Sequence, residues 1–242
     1  MRVVLIALAA LASLVPLWPV YQSPAVLLTV GAGAVLGGAL ALISSRKPWS
    51  VLRTGLVALG VYVVVGVPLA VPSAAIFGVL PSLPGELSLL SGTVLSWKQL
   101  VTVMPPVGSY EALLVPALLL TLVGMLVALR LALRKPASAG AALVPILTLA
   151  TSVWLGSSRP FYSGYIALAV FALLALWFAT ARGSFARTSL RAVGIVLGAS
   201  VIAWGAGALI PVNDRSVWRT QVEQPFVLRD ATSPLSEYRT FV

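Results

Sequence analysis

The sequence predicts an all-α polytopic membrane protein with about seven transmembrane helices, and three observations lead to this fold class. The chain of 242 residues is 60% hydrophobic and only 9% charged, whereas a soluble domain carries roughly 25% charged residues. Its apolar runs repeatedly approach about 20 residues, the length that a helix needs to cross the hydrocarbon layer. These runs are continuous and do not alternate with polar residues, which excludes a membrane β-barrel.

Seven apolar runs, separated by proline-containing turns or by basic loops, are the predicted spans. The first run follows Arg2, as in a signal peptide, but the apolar core before the Ala-Leu-Ala triplet at 10–12 would have only about seven residues. We therefore expect an uncleaved first helix. The third span ends at residue 72 or continues, interrupted by prolines, towards Leu80. The predicted spans cover residues 3–20, 25–44, 54–72, 111–129, 140–156, 161–181 and 192–211.

The segment 81–110 is the longest predicted interruption among the spans. Residues 93–104 are predicted to form a short amphipathic helix in the outer interface, stopped by Pro105 and Pro106 because neither ring can continue the helical hydrogen bonds. Glu111 is predicted to open the fourth span, where a carboxylate suits the positive end of a helix. The segment is either a plain connection or a docking surface for an outer domain. The apolar face of the predicted helix contains Val94, Trp97, Val101 and Met104, and the polar face Ser96, Gln99 and Thr102.

The distribution of charge predicts the orientation. Basic residues concentrate in cytoplasmic loops of membrane proteins. With the N-terminus inside and the C-terminus outside, 10 of the 16 cations are cytoplasmic and all six acids are outside. The basic charge is thus interpreted as a topology signal with some attraction to anionic lipids, not as a nucleic-acid surface. The six cations predicted outside are Lys98, Arg159, Arg215, Arg219, Arg229 and Arg239.

Several kinds of chemistry lack their usual residues. The chain has no cysteine and no histidine, so a thiolate nucleophile, an imidazole base and a zinc-type site are not expected, and no cofactor is predicted. The predicted span interiors contain no ionisable side chain, which argues against an ion-coupled transporter. Prolines at 68, 72, 116 and 145 keep open a transporter that uses backbone carbonyls at broken helices.

Two further features concern packing and the C-terminal tail. Small-residue motifs at 33–37 and 194–198 predict close helix approach, within one chain or between two copies. The tail 212–242 is polar and mixed in charge, and about thirty residues cannot bury a core of their own. It is interpreted as the start of an outer domain or as a clamp on the outer face.

Two segments resemble the N-terminal membrane region of bacterial, actinobacterial-like TgpA-type membrane-anchored transglutaminase-like proteins. The first is GTVLSWKQLVTVMPPVGSYEALLVPALLL and the second is VEQPFVLRDATSPLSEYRTFV in the tail. The matching residues are Trp97, Lys98, Thr102, Pro105, Pro106 and Gly108 in the loop, and Pro225, Phe226, Arg229, Asp230, Ser233, Pro234 and Tyr238 in the tail.

The resemblance implies a plasma-membrane domain that anchors and positions an extracytoplasmic transglutaminase-like module. Such a module works through a Cys–His–Asp triad, and this chain departs from that pattern because it has neither cysteine nor histidine. No catalytic residue is therefore assigned, and the chain is not expected to be an enzyme. The alternative is a small permease or export component. The expected partners are the bilayer and an outer domain or protein, and the oligomeric state stays open. The candidate outer-face residues are Trp97, Lys98, Pro105, Pro106, Glu111, Arg229 and Asp230.

Overall fold

The computed structural model describes residues 2–47, 49–103, 105–134, 138–156 and 163–181. This part of the chain is all-helical, with two 3-10 turns at Val15–Leu17 and Pro72–Ala74 and one isolated bridge between Ile76 and Leu80. The helices are α1 Arg2–Ala12, α2 Trp18–Tyr21, α3 Pro24–Arg46, α4 Val51–Ala70, α5 Leu83–Thr102, α6 Val115–Arg134, α7 Ala139–Leu155 and α8 Ser163–Ala181.

Several of these helices are long and apolar enough to span a membrane, as the composition predicts. Four segments meet the length of a span: Arg2–Tyr21, Pro24–Arg46, Val51–Ala70 and Val115–Arg134. Ala139–Leu155 and Gly164–Thr180 are shorter apolar helices. The predicted seventh span, 192–211, lies outside the described residues, as does the tail.

Serine residues mark where four of the helices begin. A serine hydroxyl at the N-cap accepts a hydrogen bond from a backbone amide that has no partner within the helix. The four pairs are Ser23 with the Ala25 amide, Ser50 with Arg53, Ser82 with Gly85 and Ser138 with Ala141, at 3.3, 3.1, 3.0 and 3.2 Å. The sequence thus sets these helix starts locally.

The pair α3 and α6 lies at the centre of the described helices. Gly33 and Gly37 are buried, and α6 approaches them so closely that a Cβ built at Gly37 would lie 2.5 Å from the Leu122 carbonyl oxygen. Lipid chains are as apolar as leucine, so small residues that permit close contact become the main determinants of helix pairing in a bilayer. The motif at 33–37 therefore packs within the chain. The motif at 194–198 is outside the described part.

Helix α5 differs from the predicted interfacial helix in its length and in its buried face. It begins at Leu83, ten residues before the predicted start, and ends at Thr102. Ser96 is fully buried, so the prediction that it lies on the polar, solvent-facing side is wrong, while Val94 of the predicted apolar face is 74% exposed. The packed stripe contains small side chains because α5 lies directly against its neighbours. This stripe consists of Gly85, Leu89, Gly92, Ser96 and Leu100.

The start of the fourth predicted span also differs. Glu111 has a φ of 44°, in the left-handed region that a helix cannot use. Residues 111–114 consequently form a turn, and α6 begins only at Val115. Glu111 is therefore a loop residue four positions before the helix, and the prediction that it opens the helix is wrong.

The two ends of the helices have opposite character. Six of the seven described cations lie at one end, which we call the basic end, and the turns around Tyr21, Ser73 and Gly108 form the other, the loop end. Both described acids, Glu86 and Glu111, belong to α5 and the loop that follows it. The cations of the basic end are Arg2, Arg46, Lys47, Arg53, Arg130 and Arg134.

Candidate functional site

The loop that follows α5 is tied to the first turn of the chain. The Val107 amide donates a hydrogen bond to the Val20 carbonyl oxygen at 2.8 Å, and the Gly108 amide donates to the Tyr21 carbonyl oxygen at 3.1 Å. Gly108 has a φ of 61°, a conformation that glycine adopts without steric cost. These contacts join segments that are almost ninety positions apart in the sequence.

Tyr21 provides a second tie to the same loop. Its side chain is fully buried, and its hydroxyl donates a hydrogen bond to the Leu113 carbonyl oxygen at 2.9 Å. A buried tyrosine hydroxyl normally needs such a partner, and the carbonyl of a turn just before a helix needs a donor. The loop is therefore held at two places, around Val107 and at Leu113, by Val20 and Tyr21.

Helix α5 supports this loop from the other side. The Ser96 hydroxyl is buried and donates to the Ala112 carbonyl oxygen at 2.8 Å. At Gly92 an added Cβ would lie 2.7 Å from the Ala112 Cβ, so only glycine permits this approach. Ser96 and Gly92 together dock the turn 111–114 on α5.

Contacts with α4 position α5 itself. An added Cβ at Gly66 would lie 2.5 Å from a Leu89 methyl carbon, and one at Gly85 would lie 2.6 Å from a Val67 methyl carbon. The hydroxyls of Tyr62 and Thr93 are 2.7 Å apart and share a hydrogen bond. Residues 85, 89 and 93 thus contact 67, 66 and 62 in turn, so the first half of α5 packs on the last part of α4.

The candidate residues predicted in this region have different environments. Trp97 is half-buried against the core, and its indole N–H donates to the Thr93 carbonyl oxygen at 3.0 Å. Lys98 and Pro106 are exposed, and Pro105 is half-buried. Trp97 therefore contributes to packing, whereas Lys98 and Pro106 are accessible. The remaining candidates, Arg229 and Asp230, lie outside the described residues.

Glu111 and Tyr110 form the polar tip of the loop. Tyr110 is 66% exposed, and its hydroxyl donates a hydrogen bond to the Glu111 carboxylate. That hydrogen bond, and secondarily the negative charge of Glu111, raise the pKa of Tyr110 above its ordinary value. The pair presents an aromatic ring and a carboxylate on a loop held by the contacts described above.

The loop end presents a surface of mixed polar and apolar character. The connection between α4 and α5 adds exposed apolar side chains at this end: Phe77 is 94% exposed, Val79 70% and Leu83 79%. Across the described ranges, no group of three or more histidine, cysteine, aspartate or glutamate side chains could hold a metal ion.

Sequence reasoning missed Tyr21, Tyr62 and Ser96, which hold the site together. The sequence singles out neither Tyr21 nor Tyr62, and it predicts Ser96 on the polar face of a short helix. Their partners are backbone carbonyls and hydroxyls on other helices, which hydropathy does not report. A polar side chain beside a buried stripe of small residues is the signal that could have identified Ser96.

Comparisons with family models, with curated proteins and with solved structures return no match for this chain.

Proposed function

We propose that this chain is a non-catalytic membrane domain that anchors and positions an extracytoplasmic transglutaminase-like module in the bacterial plasma membrane. The observation that carries the proposal is the loop end, where Tyr21 and Ser96 bind the carbonyls of one loop from two sides. A loop held in this way is suited to positioning a partner because little conformational entropy is lost when it binds.

The proposed orientation follows from the charges at the two ends. The basic end faces the cytoplasm, where basic residues concentrate, and the loop end faces outward with Glu86 and Glu111. The outer module then lies over Tyr110, Glu111, Pro106 and Lys98. The tail 212–242 is predicted to lie on the same side.

The resemblance to TgpA-type proteins supports the same assignment. The loop residues that carry it, from Trp97 to Gly108, fall on α5 and on the loop tied to the Tyr21 turn. A membrane anchor is expected to contact its outer module through exposed residues of such a loop.

The test is the covalent mass and the partners of the native protein in its own membranes, detected with an antibody against residues 212–242. The proposal expects either a band well above 25.2 kDa with peptides of a Cys–His–Asp domain, or stable co-purification of a separate protein with such a domain. A band at 25.2 kDa with no such protein bound would contradict it.

A small permease is the second candidate, and one observation favours it. One carboxylate oxygen of Glu86 is enclosed and has no hydrogen-bond partner among the described residues. Glu86 also interacts electrostatically with Tyr62, which shares a hydrogen bond with Thr93. An enclosed carboxylate near other polar side chains is a feature of cation and proton pathways.

Flux measurements separate the two candidates. Purified protein in sealed vesicles should show no substrate or cation flux above protein-free vesicles if it is an anchor. Flux that Glu86→Gln abolishes and Glu111→Gln preserves would favour the permease.

A further inference from the structure

Three arginine side chains converge on Trp49 at the basic end. The guanidinium groups of Arg130 and Arg134 each donate a hydrogen bond from Nη2 to the Trp49 carbonyl oxygen, both at 2.9 Å. The guanidinium of Arg53 lies over the Trp49 ring, 4.8 Å from its centroid. The short connection between α3 and α4 thus gathers three positive side chains, although like charges repel one another.

The acceptors at this cluster are backbone carbonyls, which satisfy hydrogen bonds but carry no net charge. Arg134 has a second such acceptor, the Ser44 carbonyl oxygen at 3.4 Å. Glu86 and Glu111, the two described acids, lie at the loop end, and the other four acids of the sequence all follow residue 213, outside the described part. A guanidinium carries five N–H donors, so these contacts leave donors available for an anion.

The depth of Arg130 strengthens the case for an anionic ligand. Its side chain is only 9% exposed, and a buried cation is costly unless a negative charge compensates it. Arg134 and Arg53 are exposed beside it, so an anion has access to the cluster from outside the helices.

Exposed apolar side chains flank the cluster on both adjoining helices. On the last turns of α3, Leu42 is 39% and Ile43 43% exposed; on the first turn of α4, Val51 is 77% and Leu52 73% exposed. A free phosphate ion would use the arginines alone. A phospholipid would use the arginines for its phosphate and these side chains for its acyl chains.

We propose that Arg53, Arg134 and Trp49 form a headgroup site for one anionic phospholipid, with the acyl chains lying along the end of α3 and the start of α4. Arginine binds phosphate oxygens in a bidentate manner that lysine cannot reproduce. Arg130 is a positioning residue, because it holds the Trp49 carbonyl beside Arg134. The proposal does not depend on the function proposed above.

Native mass spectrometry and thermal unfolding of the full chain in a neutral detergent test this site. The probes are phosphatidylglycerol, phosphatidylcholine with the same acyl chains, and inorganic phosphate. We expect one phosphatidylglycerol retained per chain and a higher Tm, with neither effect from phosphatidylcholine. Inorganic phosphate should give no stabilisation, and an effect equal to that of phosphatidylglycerol would overturn the lipid assignment.

Matched variants then locate the site. Arg53→Gln combined with Arg134→Gln should weaken phosphatidylglycerol binding at least about tenfold, the loss expected for two charge-assisted contacts. Arg46→Gln removes one charge at the same end without a contact to Trp49, and should retain binding. If the double variant does not fold, Arg134→Lys keeps the charge and should still weaken binding. Equal losses in Arg46→Gln and Arg134→Lys, or equal binding of both lipids, would overturn the proposal.

Discussion

At the scale of single residues, the hydroxyl of Tyr21 is the most consequential polar group of the loop end. It is buried and donates to the Leu113 carbonyl oxygen, so Tyr21→Phe leaves that carbonyl without its donor. We expect the variant to lose about 1–3 kcal/mol of unfolding free energy, the usual cost of an unsatisfied buried group. Detergent-induced unfolding of the purified protein measures the loss.

Tyr110→Phe is the matched control for Tyr21→Phe. It removes a hydroxyl from the same end of the molecule, but from a side chain that is 66% exposed. Its effect on the unfolding free energy should be much smaller than that of Tyr21→Phe, as for ordinary surface changes. Equal destabilisation by the two variants would contradict a special contribution of the hydrogen bond from Tyr21 to the Leu113 carbonyl oxygen.

The Tyr110–Glu111 contact makes a prediction about pH. Because the Glu111 carboxylate accepts the Tyr110 hydrogen bond and raises its pKa, Glu111→Gln should lower that pKa towards the ordinary tyrosine value. A raised pKa means that the contact stabilises the loop below the unfolded-state pKa and that this stabilisation is lost as the pH rises through the folded-state value. The phenolate absorbance of the parent minus that of Tyr110→Phe gives the titration, repeated in the Glu111→Gln background. An unchanged midpoint would contradict the contact.

At the scale of helices, Gly37 tests whether small residues determine the central pair. Gly37→Ala would place a carbon 2.5 Å from the Leu122 carbonyl oxygen, which is backbone and must move, whereas Gly38→Ala meets nothing closer than 3.6 Å. We expect Gly37→Ala to cost about 1–3 kcal/mol by overpacking. Gly38→Ala should be neutral or stabilising, by up to about 1 kcal/mol, because alanine has a higher helix propensity than glycine. The same unfolding assay compares them, and similar values for both would disprove this account of the pairing.

The helices also show why the sequence predicts some features and not others. Lipid requires each spanning segment to satisfy its own backbone, so hydropathy and length suffice to find the apolar helices. The face that a helix buries is harder to predict, because Ser96 packs inward whereas the apolar Val94 stays exposed. Reasoning by amphipathicity therefore placed Ser96 on the wrong face of α5. The tie of Tyr21 depends on the carbonyl of Leu113, far along the chain, and a single sequence contains no local signal for it.

At the scale of the whole molecule, the orientation is the property on which the proposed function depends, and the absence of cysteine makes it directly measurable. Any introduced thiol is the only one in the chain. Ser73→Cys places a thiol at an exposed position of the loop end, and Ala139→Cys places one at an exposed position where α7 begins, next to the basic end.

Labelling intact cells with a membrane-impermeant maleimide should modify the Ser73→Cys variant and spare the Ala139→Cys variant, because the basic end is expected in the cytoplasm. A permeant maleimide is the control and should label both, which shows that each thiol is accessible. Both variants leave every cation in place, so the charge that directs insertion is unchanged. The reverse pattern would place the loop end in the cytoplasm, where an extracytoplasmic module could not dock on Tyr110 and Glu111, and the anchoring proposal would then be wrong.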